Sequence, residues 1–130
     1  MTMQMSSRRS SLGVSLERKD APDKTTGRTR YTDDFSLPGM LYAAIVSSKT
    51  AHGIISQIDD AAAREMPGVR GVFTGKDFPQ LVGLYLGDKP ALAGDRVRYF
   101  GEPVVAVVAD DERTAQAAAA KIRVKYEELP

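Results

Sequence analysis

Few side chains in this sequence are of types that do covalent or metal chemistry. Its 130 residues include no cysteine and one histidine, His52. A thiol nucleophile, a disulfide framework, an iron–sulfur ligand set and a multi-histidine metal site are therefore excluded. His52 could act as a general base, but a base needs a substrate or nucleophile and a third group to orient it. The sequence offers neither, so His52 reads as a hydrogen-bonded structural histidine at the start of a strand. The carboxylates come in runs: Asp33-Asp34, Asp59-Asp60, Asp110-Asp111-Glu112 and Glu127-Glu128. The second and third runs precede helical segments, where a carboxylate accepts from free N–H groups and meets the positive end of the dipole. Glu127 and Glu128 fall at the end of a strand, where neighbours point to opposite faces and cannot share a metal. Asp33-Asp34 reads as a turn. None of the runs has the loop spacing of an EF-hand. No residue is assigned as catalytic, cofactor-binding or metal-ligating.

Two near-motifs fail on inspection of their spacing. Gly71-Val72-Phe73-Thr74-Gly75-Lys76 has three residues between its glycines where a phosphate loop has four, and Asp77 stands where Ser or Thr would meet magnesium. It reads as a strand ending in a turn. Gly13-Val14-Ser15-Leu16-Glu17 lacks the final glycine of a nucleophile elbow. No dinucleotide-binding glycine pattern occurs.

The elements that would carry these residues follow from apolar patterning. Met40–Val46 is a short apolar run after the Leu37-Pro38-Gly39 turn, and Gly53–Ile58 is a second strand. Ala61–Met66 is a short helix stopped by Pro67-Gly68. Val69–Thr74 is a third strand, expected to place Val69 and Phe73 on one face. Residues 75–95 hold repeated Gly and Pro and read as loop. Arg96–Phe100 alternates as a half-exposed strand, with Val97 and Tyr99 on one face. Gly101-Glu102-Pro103 makes a sharp turn. Val104–Ala109 is unbroken and rich in β-branched residues, the pattern of a strand buried on both faces. Glu112–Lys121 is the best helix, with its core face at Ala115, Ala118, Ala119 and Ile122. Ile122–Tyr126 closes the order as a strand. The sum is a two-layer α+β domain with two helices and a small mixed sheet.

Composition narrows the partners. Eighteen basic against seventeen acidic residues leave a net charge of +1. That balance excludes a strongly basic nucleic-acid binder. No apolar run approaches the ~18 residues of a membrane span. Ser7-Arg8-Arg9 is followed by too short and polar a stretch for an export signal, so a cytoplasmic protein is expected. Residues 1–30 carry seven basic and three acidic side chains but few large apolar ones. Residues 1–16 are therefore expected to form a mobile segment, and 1–15 to be dispensable, with the folded domain over 17–130.

The order of segments resembles a known family. RKDAPDKTTGRTRYTDD (18–34) is similar to its entry segment. PGMLYAAIVSSKTAHGIISQID (38–59) is similar to its first hairpin, with a small-residue-His-(Ala/Gly)-x-Ile pattern at Ala51 to Ile55. PGVRGVFTGKDFP (67–79) resembles its P-G-V strand and acidic turn. RVRYFGEPVVAVVADDERTAQAAAAKIRVKYEELP (96–130) matches a strand, a G-(Glu/Gln)-P-V turn, a buried strand, an alanine-rich helix and a closing V-x-Y-E-x-L-P. The family is the N-terminal α/β hammerhead domain of the molybdenum-binding subunit of xanthine dehydrogenase and aldehyde oxidase. The resemblance implies a molybdopterin-dependent oxidoreductase as parent, hydroxylating an aldehyde or N-heterocycle with oxygen from water. It also implies that molybdopterin, the glutamate base and the substrate pocket lie in later domains. The chain alone is then expected to be inactive and to bind no cofactor. Its partners would be the remaining molybdenum-binding domains or other hydroxylase subunits, with no nucleic acid or membrane and with a homo-oligomer possible. In the family, His52 and Glu102 match architectural motifs. The alternative is a free-standing binding or assembly module that kept the fold without the enzyme. An open apolar face would favour the hydroxylase domain over that alternative.

Overall fold

The computed structural model describes Gly13 and residues 15–130. Most of the segment expected to be mobile, 1–16, therefore lies outside the described residues. The chain divides into two compact units, one ending at Leu37 and the other running from Pro38 to Pro130. The first holds α1 (Ala21–Thr25) and a 3-10 turn at Thr32–Asp34. α1 adds a short helix to the two expected from the sequence. Asp34 Oδ2 accepts the Tyr31 N–H at 2.8 Å, which closes the turn expected at Asp33-Asp34. Asp20 pairs with Arg18 at 2.6 Å and with Lys24 at 2.8 Å. Those two cations, Arg18 first, hold its carboxyl below the usual carboxylate range.

The second unit runs β1 (Tyr42–Ser47), β2 (Gly53–Asp59), α2 (Ala61–Arg64), β3 (Val69–Thr74), β4 (Leu81–Val82), β5 (Lys89–Pro90), β6 (Arg96–Val97), β7 (Pro103–Ala109), α3 (Glu112–Ala119) and β8 (Arg123–Glu128). Its strands form sheets of order β1-β7-β3, β6-β2-β8 and β4-β5. Every pairing among the described residues is antiparallel, and the strands divide among three sheets where the sequence led to one small mixed sheet. The reason is interleaving. β1 and β3 run the same way, but β7 from the later half of the chain separates them. β2 separates β6 from β8 in the same manner.

β7 is the centre of the fold. Val104, Val105, Val107 and Ala109 are fully buried, but Ala106 and Val108 are only half-buried, so the burial on both faces expected from the unbroken apolar run is incomplete within this unit. α3 packs on β1 and β7 through Ala115 and Ala118, both at zero exposure, with Ala119 half-buried and Ile122 buried just past its end. That is the face expected from helical spacing. Asp111 starts the helix, accepting the Thr114 N–H at 2.8 Å and its hydroxyl at 2.6 Å. Arg123 donates to the Ala120 carbonyl at 3.2 Å, satisfying the helix's other end.

Four local expectations are corrected. Asp60 does not cap α2 with its side chain. It pairs with the Arg64 guanidinium at 2.7 Å instead, and α2 ends at Arg64. A β-bulge between Val69 and Gly71 shifts β3 against β7. Val69 thus joins Val72 on the side of Val107 and Ala109, while Phe73 faces the other way, opposite Ala106. β6 stops at Val97, because the Glu102 carboxylate takes the Arg98 N–H and turns the chain. Tyr99 is consequently 42% exposed while Val97 is fully buried. Residues 75–95 include the short β4-β5 pair, and Leu92 and Ala93 from this stretch are buried. Gly75 permits that packing, since a Cβ there would lie 2.6 Å from the Ala93 carbonyl oxygen and 2.7 Å from that of Leu92.

Candidate functional site

His52 immediately precedes β2 and is half-buried. Its Nδ1 donates to the Pro130 carbonyl at 2.8 Å, and its own carbonyl accepts the Leu129 N–H at 3.0 Å. The side chain thus ties the start of β2 to the residues after β8. No nucleophile or carboxylate is among its hydrogen-bond partners. The near-phosphate-loop at Gly71–Lys76 is β3 followed by a turn. Asp77 Oδ2 accepts the Thr74 N–H at 2.7 Å and its hydroxyl at 3.0 Å. Those bonds, the backbone one first, hold the Asp77 carboxyl below its usual range. The Thr114 hydroxyl, followed by its N–H, does the same for Asp111.

The remaining carboxylate runs are similarly engaged. Asp110 pairs with Arg70 at 2.6 Å, and Glu112 accepts from Gln116 at 2.9 Å. Glu127 and Glu128, by contrast, are exposed at the end of β8, whose Val124 and Tyr126 pack against the core. Structure does not bring these runs together. Among the described residues, no group of three His, Cys, Asp or Glu side chains is placed to hold a metal.

Among the described residues, two polar side chains are buried, Ser48 and Glu102. They build the turn into β7. The Ser48 N–H donates to the Glu102 carbonyl at 2.8 Å, and the Gly101 N–H donates to the Ser48 carbonyl at 2.9 Å. The Ser48 hydroxyl donates to the Thr50 carbonyl at 2.7 Å and accepts its N–H at 3.0 Å. Glu102 accepts the Arg98 N–H, with the Arg98 guanidinium 3.8 Å from its other oxygen. Gly101 has φ of 87°, a conformation that favours glycine. The Gly-Glu-Pro triplet signalled this turn. Ser48 was missed, and only its place after an apolar strand could have hinted at it.

An open cleft of about 300 Å3 lies beside β2 and is lined by Ser56, Gln57, Asp60, Thr74 and Lys76 with Ile55 and Ile58. Asp60 is bound to Arg64, Thr74 to Asp77, and the Ser56 hydroxyl to the Lys125 carbonyl at 3.1 Å. Three of the cleft's polar side chains, Asp60, Thr74 and Ser56, thus serve local structure. Large apolar side chains are open elsewhere: Leu84, Tyr85 and Leu86, on the β4-β5 connection, are at least 83% exposed.

Fold and contacts together define a small α+β module built from interleaved antiparallel sheets and an alanine-rich helix. The sequence profile of the family described as "Aldehyde oxidase and xanthine dehydrogenase, a/b hammerhead domain" matches residues 26–130, and the chain belongs to that family. It is 42% identical over 114 residues to a probable xanthine dehydrogenase subunit of Bacillus subtilis (strain 168), covering 86% of this chain and 15% of that protein. It is 42% identical over 125 residues to the xanthine dehydrogenase molybdenum-binding subunit of Escherichia coli O157:H7, covering 87% and 17%. Among solved structures, quinoline 2-oxidoreductase from Pseudomonas putida 86 superposes with a TM-score of 0.79 at 38% identity, over 91% of this chain and 16% of that one. The chain therefore spans about 15% of the length of the curated relatives it matches. It is a small domain of xanthine dehydrogenase and aldehyde oxidase type.

Proposed function

We propose that this chain is the non-catalytic structural domain of the molybdenum-binding polypeptide of a hydroxylase, and that the reaction is done by the polypeptide that accompanies it. The observation carrying this reading is the family match over residues 26–130, set within relatives of which it forms about 15%. Molybdopterin is the group the family implies. The described residues do not fit it. No three metal-ligating side chains converge, and no buried polar side-chain atom is left without a partner to receive a cofactor's phosphate or pterin edge. On this reading the steps of the reaction belong to the other domains. Its work is mechanical: His52 and the Ser48–Glu102 turn fix the strand ends and so keep the domain's shape. A cytoplasmic location, and partners drawn from hydroxylase domains rather than nucleic acid or membrane, belong to the same reading. No helix among the described residues is long and apolar enough to cross a membrane.

The test is a chimera in which this chain's matching residues replace the aligned segment of the Bacillus subtilis relative. The expected result is an assembled protein that retains molybdenum, while the purified 130-residue chain takes up none and shows no hydroxylase activity with an artificial electron acceptor. Stoichiometric molybdenum on the isolated chain, or a chimera that does not assemble, would sink the proposal.

A further inference from the structure

We infer that the outward face of the β1-β7-β3 sheet is the surface by which this domain docks on the rest of the molybdenum-binding polypeptide, through a dry apolar contact. The inference rests on the proposed function and names the surface that function requires. In an antiparallel sheet, residues directly opposite share a face. Tyr42, Ala44 and Val46 of β1 lie opposite Ala109, Val107 and Val105, on the face that α3 and the core cover. The other face is carried by Ala43 and Ile45 opposite Val108 and Ala106, with Phe73 of β3 also opposite Ala106. Phe78 extends it, its ring 5.7 Å from that of Phe73.

An antiparallel sheet with one solvated face alternates apolar inward with polar outward. The second sheet does so: its exposed positions include Ser56, Gln57, Arg123, Lys125 and Glu127. The β1-β7-β3 sheet does not. β1 and β7 contain no charged residue, and the one in β3, Arg70, sits at the bulge and pairs with Asp110. Yet Ile45 is 51% and Phe78 42% exposed. Two sheets of one molecule thus obey opposite rules, and only burial against a partner accounts for an outward face built like a core.

The occupant follows from length. In the structure of quinoline 2-oxidoreductase the matched part is 16% of a single chain, so the like domain there is continuous with several times its own length of polypeptide. That polypeptide is present at fixed stoichiometry and high effective concentration, so an apolar face of modest size suffices to dock on it. A second copy of this chain is the competing occupant, and the test separates the two.

The experiment uses the chimera above and the isolated chain, each with Ile45→Glu. Ala117→Glu, the same kind of change at an exposed position of α3, is the control. In the isolated chain both variants should fold, with melting midpoints close to the parent. In the chimera Ile45→Glu should lower the yield of assembled, molybdenum-loaded protein at least tenfold, and Ala117→Glu should not. Assembly of the Ile45→Glu chimera at the parent's yield would overturn this docking face while leaving the proposed function standing. Failure of the unsubstituted chimera removes the function and this inference with it. An isolated chain that sediments as a dimer, and as a monomer with Ile45→Glu, would assign the face to a second copy and overturn the inference.

Discussion

Ala118→Leu probes the contact on which the fold depends. Ala118 is at zero exposure, between α3 and the β1-β7 pair, with Val105 and Val107 in the same core cluster. Leucine adds three carbons. Had the site room, each would gain ~0.8 kcal/mol from burial. Interiors are close-packed, so the added volume must push α3 away from the sheet or force side chains off their rotamers, at roughly 1–3 kcal/mol. Helix propensity does not confuse the reading, since Ala and Leu are both strong helix formers. Ala117→Leu is the control on the exposed side of the same helix and should fall within ~0.5 kcal/mol of the parent. Val107→Asp should cost more than Ala118→Leu, because it buries a charge without a partner at a fully buried position. Urea denaturation gives the order, provided the slope with denaturant is unchanged. In a unit of this size each kcal/mol should also lower Tm by about 4–8 °C. A neutral Ala118→Leu together with a damaging Ala117→Leu would mean that α3 presents a different face to the sheet.

Gly75→Ala should destabilise by ~1–3 kcal/mol, because its Cβ would strike backbone oxygens of Leu92 and Ala93, whereas Gly94→Ala, with nothing within 4 Å, should be near neutral; equal midpoints in urea would refute the contact. Glu102→Ala leaves the Arg98 N–H without its acceptor and should cost ~1–3 kcal/mol, while Glu102→Gln keeps an acceptor oxygen and should cost less; the reverse order in thermal melts would refute the role assigned to the carboxylate. Asp111 and Asp77 have folded-state pKa values below those of the unfolded chain, so the unfolded state takes up protons first as pH falls. Their stabilisation is fully present above the unfolded value of about 3.9 and is lost as pH drops through the folded values. The stability difference between the parent and Asp111→Asn should accordingly shrink on acidification below about pH 4, and a difference constant from pH 7 to pH 2 would contradict it.

Much of the second unit was legible because its signals are local. β3 and the start of α3 fall at the expected residues, and β1, β2, β7 and β8 lie within two residues of them. Apolar runs bounded by glycine, proline and acidic caps depend on neighbours a few positions away. The segments resembling the hammerhead family were legible for the same reason, since each keeps a short motif at its own spacing. The absence of cysteine and the single histidine also limited the chemistry before any folding was considered.

What the sequence left open depends on residues far apart in the chain. Asp60 and Asp111 look alike as caps, but α2 is four residues long and Arg64 claims Asp60, while Asp111 is left to Thr114. The faces of β3 were assigned by simple alternation, and one bulge against β7 moved Val69 to the core side. Sheet division was equally out of reach, because pairing of β7 between β1 and β3 joins segments more than twenty residues apart at their nearest. The run Val104–Ala109 announced burial on both faces, and tertiary structure alone decided that α3 and the core cover one of them. Periodicity records how each strand meets its surroundings; only packing says which surroundings lie inside this unit and which belong to a partner.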